Sequence, residues 1–173
     1  GLGGGGICAA NNASVTISGL EICNNALEGN DDSSICSYSI TLACFGAGFY
    51  QYSGTFKMTS GNIHNNGVND IFTDTKNVTA IVEGGGLYLR KVTATINGGE
   101  IHHNNLRGLV KERITRYDYE DNNYYSGYYI HTEISERSNG GGLAVVYTNL
   151  TINNCKIYNN FATGYYLNYK YEY

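Results

Sequence analysis

The chain has 173 residues and a formal net charge of −4, enough for one domain with a genuine core, and nothing in that balance points to nucleic acid or to an acidic membrane surface. Proline is absent, glycine numbers 23 and tyrosine 17, and the strong helix formers are sparse, so strands and turns are favoured over helices. No apolar run approaches the roughly 20 residues that span a bilayer, which excludes a membrane-inserted helix within this segment. The chain opens at Gly1 with neither a methionine nor a signal peptide, as expected of a processed form or a piece of something longer.

In chain order, a glycine-rich step into an apolar residue occurs four times: Gly4 to Ile7, Gly46 to Phe49, Gly84 to Leu87 and Gly140 to Leu143. From the apolar residue an isoleucine follows 14 positions on in three copies (Ile63, Ile101, Ile157) and 15 in the first (Ile22). Three residues after each isoleucine stands an asparagine: Asn25, Asn66, Asn104 and Asn160. A spacing kept four times marks a repeat architecture. The middle segments Val15 to Ile17, Phe56 to Met58, Ala94 to Ile96 and Leu150 to Ile152 alternate apolar with polar residues, which is the period of a strand with one face inward. Gln51 breaks that alternation after the second glycine step.

Each copy therefore offers three short strands, and one copy cannot bury its own apolar face. Stacked copies can, with each strand running parallel to its equivalent. The expected fold is all-β, a right-handed parallel β-helix in a single domain over 1–173. Its coils lie near 3–29, 45–70, 84–108 and 140–164, with an insert at 106–139 and a C-terminal strand at 164–173. Asparagine tolerates the left-handed turn conformation and its amide can bond neighbours above and below. The pairs Asn24-Asn25, Asn65-Asn66, Asn104-Asn105 and Asn159-Asn160 are thus turn positions, and Asn25, Asn66, Asn104 and Asn160 are read as a structural ladder.

Four of the five cysteines, Cys8, Cys23, Cys36 and Cys44, fall in the first 44 residues without paired zinc-ligand spacing. Disulfides among these four are one expectation and free thiols the other, and the spacing does not choose a pairing. The insert carries Arg107, Lys111, Arg113, Arg116 and Arg137 together with Tyr117, Tyr119, Tyr124, Tyr125, Tyr128 and Tyr129. Such a loop either covers the side of the scaffold or meets a partner. In the tail, Tyr165, Leu167, Tyr169, Tyr171 and Tyr173 share one parity, the pattern of an amphipathic strand that caps its own last coil or pairs with the next subunit. Tyr124, Tyr125, Tyr128, Tyr129, Tyr169, Tyr171 and Tyr173 are the candidate partner contacts.

Repeats of Gly-Gly-Ala before an aliphatic residue, alternating with Phe-x-x-Asn, mark the bacterial polymorphic outer-membrane proteins and related β-helical surface adhesins. This chain resembles them, with GGG or GAG for GGA and Ile-x-x-Asn for Phe-x-x-Asn. The resemblance spans all four copies and misses the inserts. It implies a pectin-lyase-like right-handed parallel β-helix at the cell surface or outside the cell, serving adhesion or surface structure rather than catalysis.

Polyuronide-cleaving β-helices need a carboxylate cluster on one outward face. The column before each isoleucine reads Glu21, Asn62, Glu100, Lys156, with no acid pair on adjacent coils. No catalytic residue and no cofactor is assigned. The column after each isoleucine reads Cys23, His64, His102, Tyr158, and Cys23, His64 and His102 form a weak metal candidate set against simple stacking of imidazoles. A threonine rank, Thr16, Lys57, Thr95, Thr151, resembles that of ice-binding solenoids but is interrupted by lysine. Sequons stand at Asn12, Asn77 and Asn149 as candidate glycosylation sites. The expected function is a non-enzymatic extracellular structural or adhesive β-helix protein, self-assembling head to tail into a filament or forming part of a larger surface protein. Its expected partners are copies of itself in a head-to-tail filament, and a host or environmental glycan or protein. The alternatives are a carbohydrate-active β-helix enzyme and an ice- or glycan-binding module.

Overall fold

The computed structural model describes residues 2–31, 40–73, 78–106, 110–112, 114–118, 123–127, 134–162 and 166–167. The described residues form an all-β structure of predominantly parallel sheets and contain no helix. Each copy contributes to four sheets in turn, and within each of the four the strands lie side by side in the order of the copies.

Sheet 1 precedes the glycine step and holds Leu2–Gly3, Ile40–Phe45, Val78–Glu83 and Ile134–Asn139. Sheet 2 follows the step. Its strands are Phe49–Met58 and Leu87–Asn97, continuous in the middle copies, and Ile7–Ala9 with Ser14–Ile17 and Leu143–Val146 with Asn149–Asn153, each divided, in the outer ones. Sheet 3 is built from Leu20–Cys23, Gly61–His64, Glu100–His102 and Lys156–Tyr158. Sheet 4 follows the asparagine turn with Ala26–Asp31, Gly67–Thr73, Asn105–Leu106, Val110–Glu112 and Phe161–Ala162.

Register matches the repeat. Ile17 faces Met58, Met58 faces Ile96 and Ile96 faces Ile152, while Ile22, Ile63, Ile101 and Ile157 form a second column. Side chains of these columns fill the interior between sheets 2 and 3, where Phe49, Met58, Ile63, Leu87, Leu89, Ile96 and Ile101 are fully buried. A separate cluster of Leu27, Cys44, Ala47, Val68, Val82 and Leu106 lies between sheets 4 and 1.

What separates the two clusters is a contact between the glycine step and the asparagine turn. A Cβ on Gly6, Gly48, Gly86 or Gly142 would come within 2.6–2.8 Å of the amide nitrogen of Asn25, Asn66, Asn104 or Asn160 respectively. Only glycine leaves room for that amide. The first glycine of each step meets a different requirement: Gly4, Gly46, Gly84 and Gly140 have φ of 72°, 62°, 69° and 66°, where a side chain is strained.

The amides themselves run as a ladder through the stack. Asn25 Nδ2 donates to Asn66 Oδ1, Asn66 Nδ2 to Asn104 Oδ1 and Asn104 Nδ2 to Asn160 Oδ1, each at 2.9 Å. The backbone N–H groups of Asn25, Asn66 and Asn104 donate to the same three oxygens at 3.1 Å. The second amide hydrogen is used backwards: Asn66, Asn104 and Asn160 donate to the carbonyls of Ile22, Ile63 and Ile101 at 2.9 Å. Asn66 and Asn104 are buried, and the hydrogen bonds compensate that burial.

The structure departs from the sequence reading in several places. Each copy has strands in four sheets rather than three short strands: the first two expected strands share sheet 2, and the segments after each asparagine turn and before each glycine step are also strands. The third turn is made by His103 and Asn104, not Asn104 and Asn105: the left-handed residue is Asn24, Asn65, His103 and Asn159 in the four copies, with φ of 57°, 53°, 53° and 51°. Gln51 does not break the strand. It is fully buried, and its Nε2 donates to the carbonyls of Ala13, Ser53 and Thr55 at 2.9, 3.1 and 3.2 Å, where Ser53 turns left-handed at φ 65°. Of the two expectations for the cysteines, the described ones stand as free thiols. Cys8, Cys23 and Cys44 are free thiols in three different sheets, Cys8 exposed and Cys44 in the core, and burial raises the Cys44 pKa. Cys36 lies outside the described residues.

Within the insert, Ile114–Asp118 and Asn123–Gly127 form an antiparallel hairpin that pairs Tyr117 with Tyr124 and Arg116 with Tyr125. In the tail, Tyr166–Leu167 pairs antiparallel with Ile134 and Ser135 of the same chain, adding a last strand to sheet 1. Tyr128, Tyr129, Tyr169, Tyr171 and Tyr173 lie outside the described residues.

Replacing Asn104 with alanine removes the acceptor of Asn66 and the donor to Ile63 and Asn160 in a buried position. Urea denaturation is expected to show a loss of about 3 kcal/mol, against less than about 0.5 kcal/mol for Asn105→Ala on the exposed neighbour. Equal losses in the two variants would show that the ladder adds nothing specific.

Candidate functional site

Ionisable and ring-bearing side chains collect on the outward face of sheet 3 and on the turn that follows it. The alternation that sends Ile22, Ile63, Ile101 and Ile157 inward sends the residues on either side outward. Glu21, Asn62, Glu100 and Lys156 are in register, as are Cys23, His64, His102 and Tyr158.

The first column is an ion-paired surface. Glu21 meets Asn62, and Glu100 meets Lys156, whose Nζ lies 2.9 Å from Glu100 Oε1. Tyr158 donates its hydroxyl to Glu100 Oε2 at 2.8 Å. The bonds from Lys156 and Tyr158 hold the Glu100 carboxyl below the ordinary carboxylate range. Neighbouring positions in this column pair no two carboxylates.

In the second column the rings stack. His64 and His102 have centroids 4.9 Å apart and planes inclined by 2°; His102 and Tyr158 are 4.9 Å apart at 11°. His102 Nδ1 lies 2.8 Å from His103 Nδ1, so one ring carries the proton that the other accepts. His103 Nε2 is 3.4 Å from Asn159 Nδ2. His64 Nε2 lies 2.6 Å from Glu21 Oε1. Cys23 Sγ accepts a weak bond from Asn24 Nδ2 at 3.6 Å.

The structure brings His64 together with Cys23, as their register positions demand, but His102 joins them only through its ring face. The third donor near Cys23 and His64 is Glu21: single donor atoms from these three residues lie within 4.8 Å of one another. Glu21 and Cys23 are two residues apart on one strand and so share its outward face. That parity was the sequence signal for Glu21. A second feature without a sequence assignment is a ring cluster formed by Phe45, Tyr50 and Tyr88, with Tyr50 and Tyr88 stacked at 5.5 Å.

A shallow polar groove runs beside the asparagine turn, lined by Asn24, Asn65, His103 and Asn105 with the ladder amides at its floor. Of the sequons, Asn12 is exposed at a left-handed corner with its N–H bonded to Ser53 Oγ at 3.0 Å, and Asn149 is exposed at a strand start. Asn77 lies outside the described residues. The threonine rank stands in register as Thr16, Lys57, Thr95 and Thr151, with lysine in the second place.

Burial, followed by the neighbouring His64 and His103, lowers the His102 pKa, so the fold favours the neutral ring. A depressed folded value means that this contribution is present above the ordinary histidine value of about 6.5 and is lost as pH falls through the lower folded value. Histidine NMR titration is expected to place His102 below that ordinary value. His102→Phe, which keeps the stack, is expected to reduce the acid-side loss of melting temperature. A His102 that titrates above the ordinary value would contradict the geometry. Comparison with protein-family models, with curated proteins and with solved structures found no match.

Proposed function

We propose that the chain is a right-handed parallel β-helix with a structural or adhesive role at a cell surface or outside the cell, and that it assembles head to tail with copies of itself. The observation that carries this is the state of the last coil. Ile152 and Ile157 are 40% and 43% exposed, while their equivalents one coil earlier, Ile96 and Ile101, are fully buried. Val145 and Phe161 extend the same apolar end. An apolar column that ends in solvent offers a surface for another coil, whether from a second copy or from further chain.

The two ends are complementary. At the last coil the Asn160 N–H continues the ladder as a donor; at the first coil Asn25 Oδ1 continues it as an acceptor. The same polarity relates every pair of adjacent coils inside the molecule, from Asn25 through Asn160. A copy placed on the end therefore repeats an existing interface, and because the contact is heterologous it propagates instead of closing. The tail strand Tyr166–Leu167 pairs with the edge of sheet 1 from within the chain, which supports the alternative of a tail that caps its own last coil and leaves sheets 2, 3 and 4 to make the contact.

The mixed Glu21, Asn62, Glu100, Lys156 column supports a non-enzymatic role over the carbohydrate-active alternative. The tyrosines of the insert and tail are candidate contacts for a glycan or protein partner.

Sedimentation velocity and electron microscopy test the assembly. Wild-type protein is expected to form concentration-dependent end-to-end oligomers. Ile152→Lys together with Ile157→Lys, both at partly exposed positions, is expected to hold the protein monomeric with an unchanged strand spectrum. A wild-type chain that stays monomeric at high concentration overturns the proposal.

A further inference from the structure

We infer that Glu21, Cys23 and His64 form a binding site for one divalent metal ion of zinc's class. The three offer a carboxylate, a thiol and an imidazole, and their donor atoms lie within 4.8 Å of one another. Ligand atoms around a tetrahedral zinc stand roughly 3.3–3.6 Å apart, given bonds of about 2.0–2.3 Å, so small side-chain rotations complete the set. Glu21 has the freedom to make them, since its side chain is 62% exposed; His64, at 15%, is held.

Several features prepare these residues as ligands rather than as chance neighbours. Strand pairing sets Cys23 directly opposite His64, and Glu21 lies two residues away on the same outward face. The His64 ring is fixed by its stack on His102. One of its nitrogens, Nε2, meets Glu21, while the other, Nδ1, is buried and has no hydrogen-bond partner among the described residues. The imidazole thus retains capacity that the protein does not use. Asn24 directs an N–H at Cys23 Sγ at 3.6 Å.

Charge and donor softness select the ion. One thiolate, one carboxylate and one neutral imidazole balance a divalent charge. A thiolate with an imidazole suits zinc or cobalt and disfavours magnesium or calcium, which take oxygen. Binding releases the Cys23 thiol proton to solvent and leaves a fourth position for water. The ion would also tie the first copy to the second, since Glu21 and Cys23 come from one strand and His64 from the next. This inference does not depend on end-to-end assembly.

Cobalt(II) titration of the reduced full chain tests it, followed by displacement with zinc. The expected result is one equivalent bound, a thiolate-to-cobalt charge-transfer band, and loss of that band on adding zinc. Cys23→Ser is expected to abolish the band. His64→Gln and Glu21→Gln are each expected to weaken binding by at least about tenfold, whereas His102→Phe is expected to keep the band. Glu21→Gln sits at an exposed position and keeps the test decisive should His64→Gln fail to fold. Absence of the band in the wild type overturns the inference. So does a band that survives Cys23→Ser and disappears in Cys8→Ser or Cys155→Ser.

Discussion

The contact between the glycine at the third position of each step and the ladder asparagine is the constraint on which the rest of the structure depends. It joins the corner between sheets 1 and 2 to the corner between sheets 3 and 4, and the apolar side chains fall into one cluster on each side of it. Neither partner works alone. A side chain on the glycine would displace the amide, and without the amide the buried carbonyls of Ile22, Ile63 and Ile101 would lose their donors. The glycine motif and the Ile-x-x-Asn motif are therefore two halves of one device. The nearly constant distance between them is the length of chain that encloses the larger cluster.

This explains how much of the fold was legible from residues. Sheets 2 and 3 could be read because they lie between the two motifs and alternate inward Ile, Met, Phe and Leu with outward polar residues. Sheets 4 and 1 lie beyond the asparagine turn, where the interval to the next glycine step varies, so no spacing announced Ile40–Phe45, Val78–Glu83 or Ile134–Asn139. Gln51 looked like a defect in an apolar series because its role is to satisfy three carbonyls of a corner, and that need arises only once the chain bends there. His103 escaped notice as a turn residue because Asn104-Asn105 matched the asparagine pairs of the other copies.

The candidate site was legible as a column but not as a cluster. Equivalent positions gave Cys23, His64 and His102 together, and parallel register does stack the two imidazoles. Side-chain reach decides the rest. Glu21 is long enough to cross from its own strand to the Nε2 of His64, whereas His102 turns its ring edge toward His103. A column gives the order of residues along the stack; which of them share donor atoms depends on rotamers that a spacing rule does not contain.

The unequal freedom of the two sides of the molecule has a consequence for how such a chain can change. Between a glycine step and its asparagine the length is nearly constant, since one residue added within a strand would invert every inward side chain beyond it; the one extra residue of the first copy falls between Ala9 and Ser14, where the strand is divided, and Ile17 still faces Met58. Between sheet 4 and the next sheet 1 no such clock runs, and the hairpin of Ile114–Asp118 with Asn123–Gly127 is accommodated there. Closing a longer loop at that edge costs only about 0.6 kcal/mol for each doubling of its length. One edge of the scaffold is thus a place where foreign segments can be carried, while the opposite wall keeps the count.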